Sequence, residues 1–303
     1  MKNNSFKKFP ATDQDSDIPK VITRQSPNKL VWRRFKKSKM AMLGLSVVVI
    51  LFLTAIFSDL IAPYPYDMQN FDEIFLYPSR QHLMGTDDFG RDLFSRLVYG
   101  SRISLLVALL SVGMSLTVGC GLGATAAFYG GHYETIVMRV LDAIMSIPPL
   151  LYAISLSAAL GPGVVTTAVA IAFSAVPAFA RVTRASVLSV KEQEFVEAAR
   201  AIGANNSRII KRHIIPNALS PIFVQTTIMI VTAILTISML SFIGLGIQPP
   251  IPEWGSILSM GREYIRDFWP IVVFPGIMIM ITLISFNLLG DGLRDALDPR
   301  LKQ

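Results

Sequence analysis

Apolar residues in this chain are gathered into long blocks rather than scattered. Five blocks contain no Asp, Glu, Lys or Arg, and polar, charged segments separate them. A helix needs about 20 consecutive apolar residues to cross the hydrocarbon core of a bilayer, so blocks of this length are typical of membrane spans. We therefore predict a helical membrane protein. The charge-free blocks are residues 41–58, 103–131, 143–180, 214–252 and 268–290.

Two of these blocks are too long for a single crossing. The Gly-Pro-Gly sequence at residues 161–163 predicts a turn inside the third block. Three prolines between residues 249 and 252 show where the fourth block cannot be helical, so its last part is predicted to be a re-entrant or surface segment. The chain is therefore expected to be an all-α, polytopic membrane protein with six spans. The predicted spans are residues 41–61, 103–128, 137–160, 164–180, 218–240 and 268–289.

Composition excludes an ordinary soluble domain, and the distribution of charge predicts an orientation. Hydrophobic residues make up 52% of the 303 positions and charged residues 16%, with a mean hydropathy of +0.50. Lys and Arg number eleven in residues 1–40 and seven in 181–216, but only four in 62–102 and two in 241–268. Positively charged segments stay in the cytoplasm. Both termini and the 181–216 loop are thus predicted to be cytoplasmic in a cell membrane, with 62–102 and 241–267 external.

The net charge of +7 is explained by this topology, not by a nucleic-acid partner. Five basic residues between Arg33 and Lys39 directly precede the first span, where anionic lipid of the bilayer accounts for them. Residues 1–29 are predicted to be a disordered, polar cytoplasmic leader. Residues 30–303 form the predicted membrane domain.

The 181–216 loop contains the most informative pattern. Ser189 and Glu192 have the spacing of a capping box, which predicts the start of a helix. Gly203 predicts its end, at a residue with positive φ. A second short helix is expected over Ser207–Ile215, ended by Pro216. A helix–Gly–helix unit of this kind can press into a groove of a soluble partner or lie on the membrane surface, and spacing alone does not separate the two.

The motif residues in this loop resemble a known family. Glu197-Ala198-Ala199, then Gly203, then Ile214-Ile215-Pro216 is similar to the EAA loop of binding-protein-dependent ABC importers. His213 and Ile215 depart from the wider pattern, where many members have Ile and Leu. The His-Ile-x-Pro-Asn form is similar to the peptide and nickel branch of the family.

Three further stretches resemble the same branch, in the same order along the chain. They are residues 85–92 (GTDDFGRD), 241–254 (SFIGLGIQPPIPEW) and 286–299 (FNLLGDGLRDALDP). The resemblance runs from about residue 30 to the end. It implies the C-type permease subunit of a dipeptide, oligopeptide or nickel importer, with the type I ABC importer permease fold.

The resemblance also implies partners and a mechanism. A second, homologous permease, two ATPase subunits that carry ATP and Mg, and an extracytoplasmic substrate-binding protein would complete an alternating-access importer. A nickel or glutathione permease of the same family is the alternative, and an ion-coupled secondary transporter a more distant one. The residues expected to dock the ATPase are Glu197, Ala198, Ala199, Gly203, Ile215 and Pro216.

Fewer candidate functional residues lie outside the 181–216 loop. Asp87 and Asp88 are expected to fix their own turn through backbone hydrogen bonds. Arg139 and Asp142, three apart on one helix face, are candidates for an intramembrane ion pair. The candidates for an outer gate or a contact with the binding protein are Arg91, Asp92, Gln248 and Trp254.

No catalytic site is predicted in this chain. The sequence contains no Gly-Lys pair, so the phosphate loop of a nucleotide site cannot be formed from it. Its three histidines are scattered, and no His/Cys/acid cluster predicts a metal site. The chain is therefore expected not to be an enzyme and to bind no cofactor itself.

Overall fold

The computed structural model describes residues 27–297, and all regular structure in that range is helical. No strand is present there, and Thr86 and Asp92 form an isolated bridge. Twelve α-helices are described: α1 Pro27–Lys37, α2 Lys39–Ile56, α3 Ser58–Ile61, α4 Leu93–Tyr129, α5 Gly131–Met145, α6 Pro149–Leu160, α7 Val164–Lys191, α8 Glu194–Ala201, α9 Asn206–Arg208, α10 Ile215–Phe242, α11 Trp254–Gly261 and α12 Pro270–Leu297. Most of the predicted 1–29 leader lies outside the described residues, and helix α1 begins at Pro27.

Five helical segments are long and apolar enough to cross a membrane: α2, α4, α7, α9–α10 and α12. Helices α5 and α6 pass the same test together, although they are bent by 82° at their junction. The predicted count of six spans is therefore met only if this bent pair is one span. Within the span predicted over 137–160 the helix is bent, because Pro148 and Pro149 follow Met145 and interrupt it.

The other helices extend past the predicted boundaries. Helix α4 begins ten residues before the predicted span, at Leu93, where the side chain of Asp92 accepts a hydrogen bond from the Ser95 N–H. Helix α7 continues through Pro177 to Lys191, and α12 continues to Leu297. The predicted spans 103–128, 164–180 and 268–289 lie within charge-free blocks, whereas a helix remains stable beyond the hydrocarbon wherever its side chains find protein contacts.

Helices α4 and α7 are packed at very short range through small residues. Gly119 and Gly123 form a Gly-x-x-x-Gly pair on the α4 face that meets α7. An added Cβ at Gly119 would lie 2.6 Å from the Cβ of Phe179, and one at Gly123 would overlap the carbonyl of Ala180. Small residues of this kind allow two membrane helices to bring their backbones together. The α4–α7 pair also has the most extensive contact of any two helices in the described part of the chain.

A second group of helices packs beside this pair. Helix α12 lies against α2 and α10, again through glycine: an added Cβ at Gly44 would lie 2.7 Å from the Ser285 carbonyl oxygen. Trp254 at the start of α11 is fully buried against α4, and its indole Nε1 donates to the Leu97 carbonyl at 3.0 Å. The core is continuous from α2 through α4, α7, α10 and α12.

Replacing Gly123 with Ala tests the close α4–α7 contact. We expect the apparent melting temperature of the purified chain in detergent to fall, because the helices must separate to admit the methyl group, at a cost on the order of 1–3 kcal/mol. Gly121→Ala is the matched control on the same helix, since a Cβ at Gly121 meets no atom within 4 Å. That variant should be neutral or slightly stabilised, as Ala favours helix over Gly. Equal melting of both variants would contradict the packing account.

Candidate functional site: a helical loop and a polar cap

The helical loop, residues 192–214, connects α7 to α10. Ser189 does not begin a helix here. It lies in the last turn of α7, where its hydroxyl donates to the Ser186 carbonyl at 2.8 Å. The capping-box prediction is therefore wrong, and α8 begins only at Glu194, after Gln193.

The second half of the loop also differs from the prediction. Residues 206–214 form a short α-helix followed by a wider helical turn, Ile209–Ile214, which leads directly into α10. Pro216 does not end this helix but stands in the first turn of α10, where a missing N–H costs nothing. The loop is thus connected to a membrane span through helical structure.

Gly203 has the backbone conformation predicted for it, with a φ of +81°. The N–H of Gly203 donates to the Arg200 carbonyl and that of Ala204 to the Ala199 carbonyl, at 3.0 and 3.1 Å. These bonds end α8 in the manner of a glycine C-cap. No neighbouring atom restricts the position, so only the left-handed φ selects glycine there.

The helical loop has its own apolar core. Val196 and Ala199 of α8 pack with three buried isoleucines of the second half of the loop. The same cluster includes residues from the adjoining ends of α4 and α7, so the loop rests on that helix pair. The other buried members of the cluster are Ile209, Ile210, Ile214, Ala218, Ala124, Ala127, Phe128, Val187 and Val190.

Lys191 fastens the loop to α4. Its ammonium group donates to the carbonyls of Ala127 and Phe128 at 3.0 and 2.7 Å, and it also lies over the Phe128 ring. Carbonyls in the last turn of a helix lack intrahelical partners, and a cation there also interacts favourably with the helix dipole. The base of the loop is therefore bound to the end of the longest helix.

The exposed surface of α8 differs in part from the docking residues predicted. Ala199 is only 5% exposed and belongs to the loop core, so it cannot offer a surface to a partner. Glu197, Ala198, Gly203 and Pro216 are exposed and Ile215 is half-buried.

Two exposed apolar side chains of the loop were not predicted. Ile202 is 86% exposed and Phe195 is 38% exposed. Sequence spacing did not signal their exposure, because Phe195 stands four residues before Ala199 and Ile202 three after it, which places all three on one helix face.

The predicted Arg139–Asp142 pair is not formed. Asp142 instead pairs with Arg181 of α7, and Glu134 of α5 pairs with Arg184 one turn further along α7. Arg139 is exposed and has no ion-pair partner among residues 27–297. Sequence spacing identified the acidic partner but could not identify a cation on another helix. The two ion pairs join α5 to α7.

A polar cap lies at the opposite end of the α4–α7 pair. It consists of residues 62–92 and 243–269 and includes the predicted Asp87 turn. One Asp87 oxygen accepts from the N–H groups of Phe89 and Arg91, at 2.9 and 3.0 Å. The other accepts from Arg91 Nε at 2.7 Å and lies 3.3 Å from Nε of Arg96. The predicted backbone hydrogen bonds of Asp87 are confirmed.

Both arginines in this network are buried. Arg96 is 0% exposed and Arg91 is 3% exposed, so one carboxylate serves two guanidinium groups away from water. Asp88 also lies 3.6 Å from Arg91, and its partial burial, together with the charge of Asp87, raises the pKa of the Asp88 carboxyl. This charge network adds to the apolar contacts of the cap, whose residues Ile247, Trp254, Ile257 and Phe268 belong to the main core.

A second buried network lies beside the first. His82 Nδ1 is 2.9 Å from one oxygen of Asp92, and the other oxygen accepts from the N–H and hydroxyl of Ser95 at 2.7 and 2.6 Å. Both His82 and Asp92 are at most 5% exposed, and the Tyr64 ring stacks on the imidazole at 5.0 Å. These contacts fix the start of α4 against the cap.

Most of the predicted gate or contact residues are interior. Arg91, Asp92 and Trp254 are each at most 3% exposed, so they offer no docking surface in this conformation. Gln248 is half-buried, and its amide donates to the Gly244 carbonyl at 2.8 Å.

Glu253, just before Trp254, is fully buried and caps α11. Its carboxylate accepts from the N–H groups of Gly255 and Ser256, both at 2.9 Å. Burial raises the pKa of the Glu253 carboxyl, and these hydrogen bonds oppose that effect. Glu253 was not among the predicted site residues, and glutamate is not one of the usual N-cap residues, which are Ser, Thr, Asp and Asn.

Comparison with known proteins shows the family. Residues 119–303 match the model of the binding-protein-dependent transport system inner membrane component, and residues 26–78 match the N-terminal transmembrane domain of oligopeptide transport permease C. The chain belongs to this family. It is a C-type permease subunit of a binding-protein-dependent ABC importer, a multi-pass protein of the inner membrane. Such permeases are not themselves enzymes and work with ATPase and permease partners.

Relatives cover essentially the whole chain. The dipeptide transport system permease protein DppC of Alkalihalophilus pseudofirmus is 42% identical, with 100% of each chain covered. The di/tripeptide permease DppC of Pseudomonas aeruginosa is 40% identical over 99% of each. The glutathione transport system permease GsiD of Escherichia coli is 43% identical over 89% of this chain and 90% of that one.

Solved structures agree on the fold. An inward-facing structure of the MetNI methionine ABC transporter matches with a TM-score of 0.56 at 19% identity, covering 68% of this permease and 98% of the matched chain. A crystal structure of an amino acid ABC transporter with histidines matches with a TM-score of 0.53 at 15% identity. The predicted type I ABC importer permease fold is confirmed.

Replacing Asp87 with Asn tests the charge network of the cap. Both guanidinium groups would lose their shared carboxylate while remaining buried, and breaking such a buried pair costs about 3–5 kcal/mol. We expect a lower apparent melting temperature in detergent and lower yield of folded permease.

The control for this variant is Asp72→Asn, at an exposed carboxylate of the same cap. It removes the same charge without exposing a buried partner, so its melting temperature should match the wild type. If the two variants had the same melting temperature, the network around Asp87 would not be stabilising the cap.

Proposed function

We propose that this permease forms half of the transmembrane path of an ATP-driven importer of dipeptides or oligopeptides. The observation that carries the proposal is the helical loop, which presents an exposed apolar tip on a rigid base at the end of α4 and α7. The relatives support the substrate class, since two at 40% identity or more are named for di- or tripeptide transport. The permease works by alternating access.

Glutathione is the second candidate substrate. The GsiD relative, named for glutathione transport, is as similar as the dipeptide permeases, at 43% identity. Glutathione is itself a small peptide, so the same path suits either compound. Selection between them then rests largely on the separate extracytoplasmic binding protein.

The ATPase docks on the exposed face of α8 and its turn. Ala198 allows close approach because it has no bulk, and Ile202 supplies an apolar side chain to fill a pocket of the partner. The same surface contains, or is shaped by, four other residues: Glu197, Gly203, Ile215 and Pro216. Ala199 acts from inside, because it holds α8 on the loop core. Movement of the docked ATPase is passed to α4 and α7 through this core and Lys191.

The proposed assembly contains this permease, a second homologous permease, two ATPase subunits that bind ATP and Mg, and a binding protein on the outside. The helical loop and both termini face the cytoplasm, as the excess of Lys and Arg predicts. The polar cap faces the binding protein. Within the cap, Gln248 is the one proposed gate or contact residue with an accessible side chain, while Arg91, Asp92 and Trp254 act by fixing the cap's shape.

The substitution Ile202→Asp tests docking. A charge placed where an apolar side chain enters a pocket should weaken ATPase binding by on the order of 2 kcal/mol or more, a loss of about 30-fold. The co-purified ATPase should therefore fall sharply, and uptake of labelled dipeptide by the reconstituted importer should fall with it. Unlabelled glutathione in excess would show by competition whether it shares the path.

The matched control is Leu83→Asp, which places the same charge at a 57% exposed leucine of the opposite end. This variant should retain the ATPase. If the Ile202→Asp variant also retained the ATPase, the helical loop would not be the docking element. If only the Ile202→Asp variant lost the ATPase, the result would also place the loop on the cytoplasmic side.

A further inference from the structure

A cationic cavity lies between the N-terminal helix and the end of the last span. Its volume is about 510 Å³, within the usual range for a small-ligand site. Arg33, Arg34 and Lys37 of α1 line one side, and Asp295 of α12 lines the other. The cavity plays no part in the proposed coupling, since it is formed by α1 and α12 and not by the helical loop.

The floor of the cavity is rigid. Phe35 is 5% exposed and packs with Ala41 and Ala296. An added Cβ at Gly292 would overlap the Ala41 side chain, so α12 approaches the α1–α2 junction as closely as its backbone allows. The Ser38 hydroxyl accepts from the Ala41 N–H at 3.3 Å and caps α2. The basic side chains of α1 therefore extend from a well-packed corner of the structure, where α1, α2 and α12 meet.

The position of this corner is at the membrane boundary. Helix α2 is a membrane span that begins at Lys39, two residues after α1 ends. Trp32 on α1 is 49% exposed, and the Lys36 ammonium lies 5.1 Å from the centre of its ring. Exposed tryptophan beside basic residues is typical of the headgroup layer, where the ring has apolar surroundings and the charges meet lipid phosphates.

Two of the basic side chains that line the cavity are unpaired in the described part of the chain: neither Arg33 nor Lys37 has a hydrogen-bond or ion-pair partner among residues 27–297. Arg33 and Lys37 are four apart and so share one face of α1. Arg33 and Lys37 therefore place two positive charges on one face of α1, above the cavity and at the depth of the lipid headgroups. This arrangement suits a phosphate group that carries one negative charge.

We propose that this cavity binds the phosphate of an anionic phospholipid headgroup, with Arg33 and Lys37 as its main ligands. Arg33 offers a planar fork of donors to two phosphate oxygens and Lys37 a point charge. The bound lipid holds α1 against α12 at the membrane surface. Asp295 repels the phosphate and limits the affinity, which makes the site reversible.

The test uses the full-length permease purified in a neutral detergent and titrated with phosphatidylglycerol, with bound lipid counted by native mass spectrometry. Phosphatidylcholine, which has no net charge, and inorganic phosphate are separate arms. Wild-type permease should bind phosphatidylglycerol about 25-fold more tightly than phosphatidylcholine, because each of the two cations contributes roughly a fivefold factor. Inorganic phosphate should compete only weakly.

Three variants separate a built site from general charge attraction. Arg33→Gln/Lys37→Gln should reduce phosphatidylglycerol binding to the level of phosphatidylcholine. Lys29→Gln/Lys36→Gln removes two charges from the same helix outside the cavity lining and should leave the preference nearly intact. Asp295→Asn should tighten binding several-fold.

Two outcomes would overturn the proposal. Equal losses in both double variants would show that net charge alone attracts the lipid. Inorganic phosphate binding as tightly as phosphatidylglycerol would assign the cavity to a soluble anion instead.

Discussion

The close approach of α4 and α7 is the constraint on which the rest of this permease depends. Gly119 and Gly123 remove the side chains that would hold the two backbones apart, and Ala180 does the same from α7. In a bilayer the hydrophobic effect does little to bring helices together, so dense packing between small residues must supply the association. With 37 residues at 1.5 Å each, α4 extends about 55 Å, long enough to cross the membrane and reach both ends of the molecule.

Each end of this helix pair carries one of the two candidate sites. At one end, the helical loop is attached through its apolar core and through Lys191 on the last carbonyls of α4. At the other end, Arg96 and Ser95 in the first turn of α4 fix the polar cap through Asp87 and Asp92. If the ATPase docks on the helical loop as proposed, a displacement of the loop has a continuous, packed route to the cap through α4. The bent α5–α6 pair is joined to the same unit by the ion pairs between α5 and α7 and by packing of α6 on α7, where Ala153 is fully buried and the Tyr152 ring contacts Phe173.

How much of the fold and of the candidate sites could be predicted depends on how far apart in the sequence the interacting residues lie. Local signals succeeded: charge-free blocks predicted the helical spans, and the glycine at 203 predicted a left-handed helix end. Contacts between distant segments could not be read from spacing, so Asp142 was paired with its sequence neighbour Arg139 instead of Arg181 of another helix. Ala199 was expected at the surface because its motif was recognised without the loop core that buries it. The helices also continue past the predicted spans, as at the start of α4, where polar side chains find partners in the cap.

The central claim, that α4 and α7 move as one body during transport, has a direct test in the native cysteine. The Thr183 hydroxyl of α7 donates to the Cys120 sulfur of α4 at 3.1 Å, so Thr183→Cys alone brings two thiols within reach of a disulfide. The measurement is ATP-driven uptake of labelled dipeptide by the reconstituted importer, before oxidation, after it, and after reduction. The account predicts equal rates in all three states, because the cross-link joins parts that never separate. Uptake that stops on oxidation and returns on reduction would contradict it.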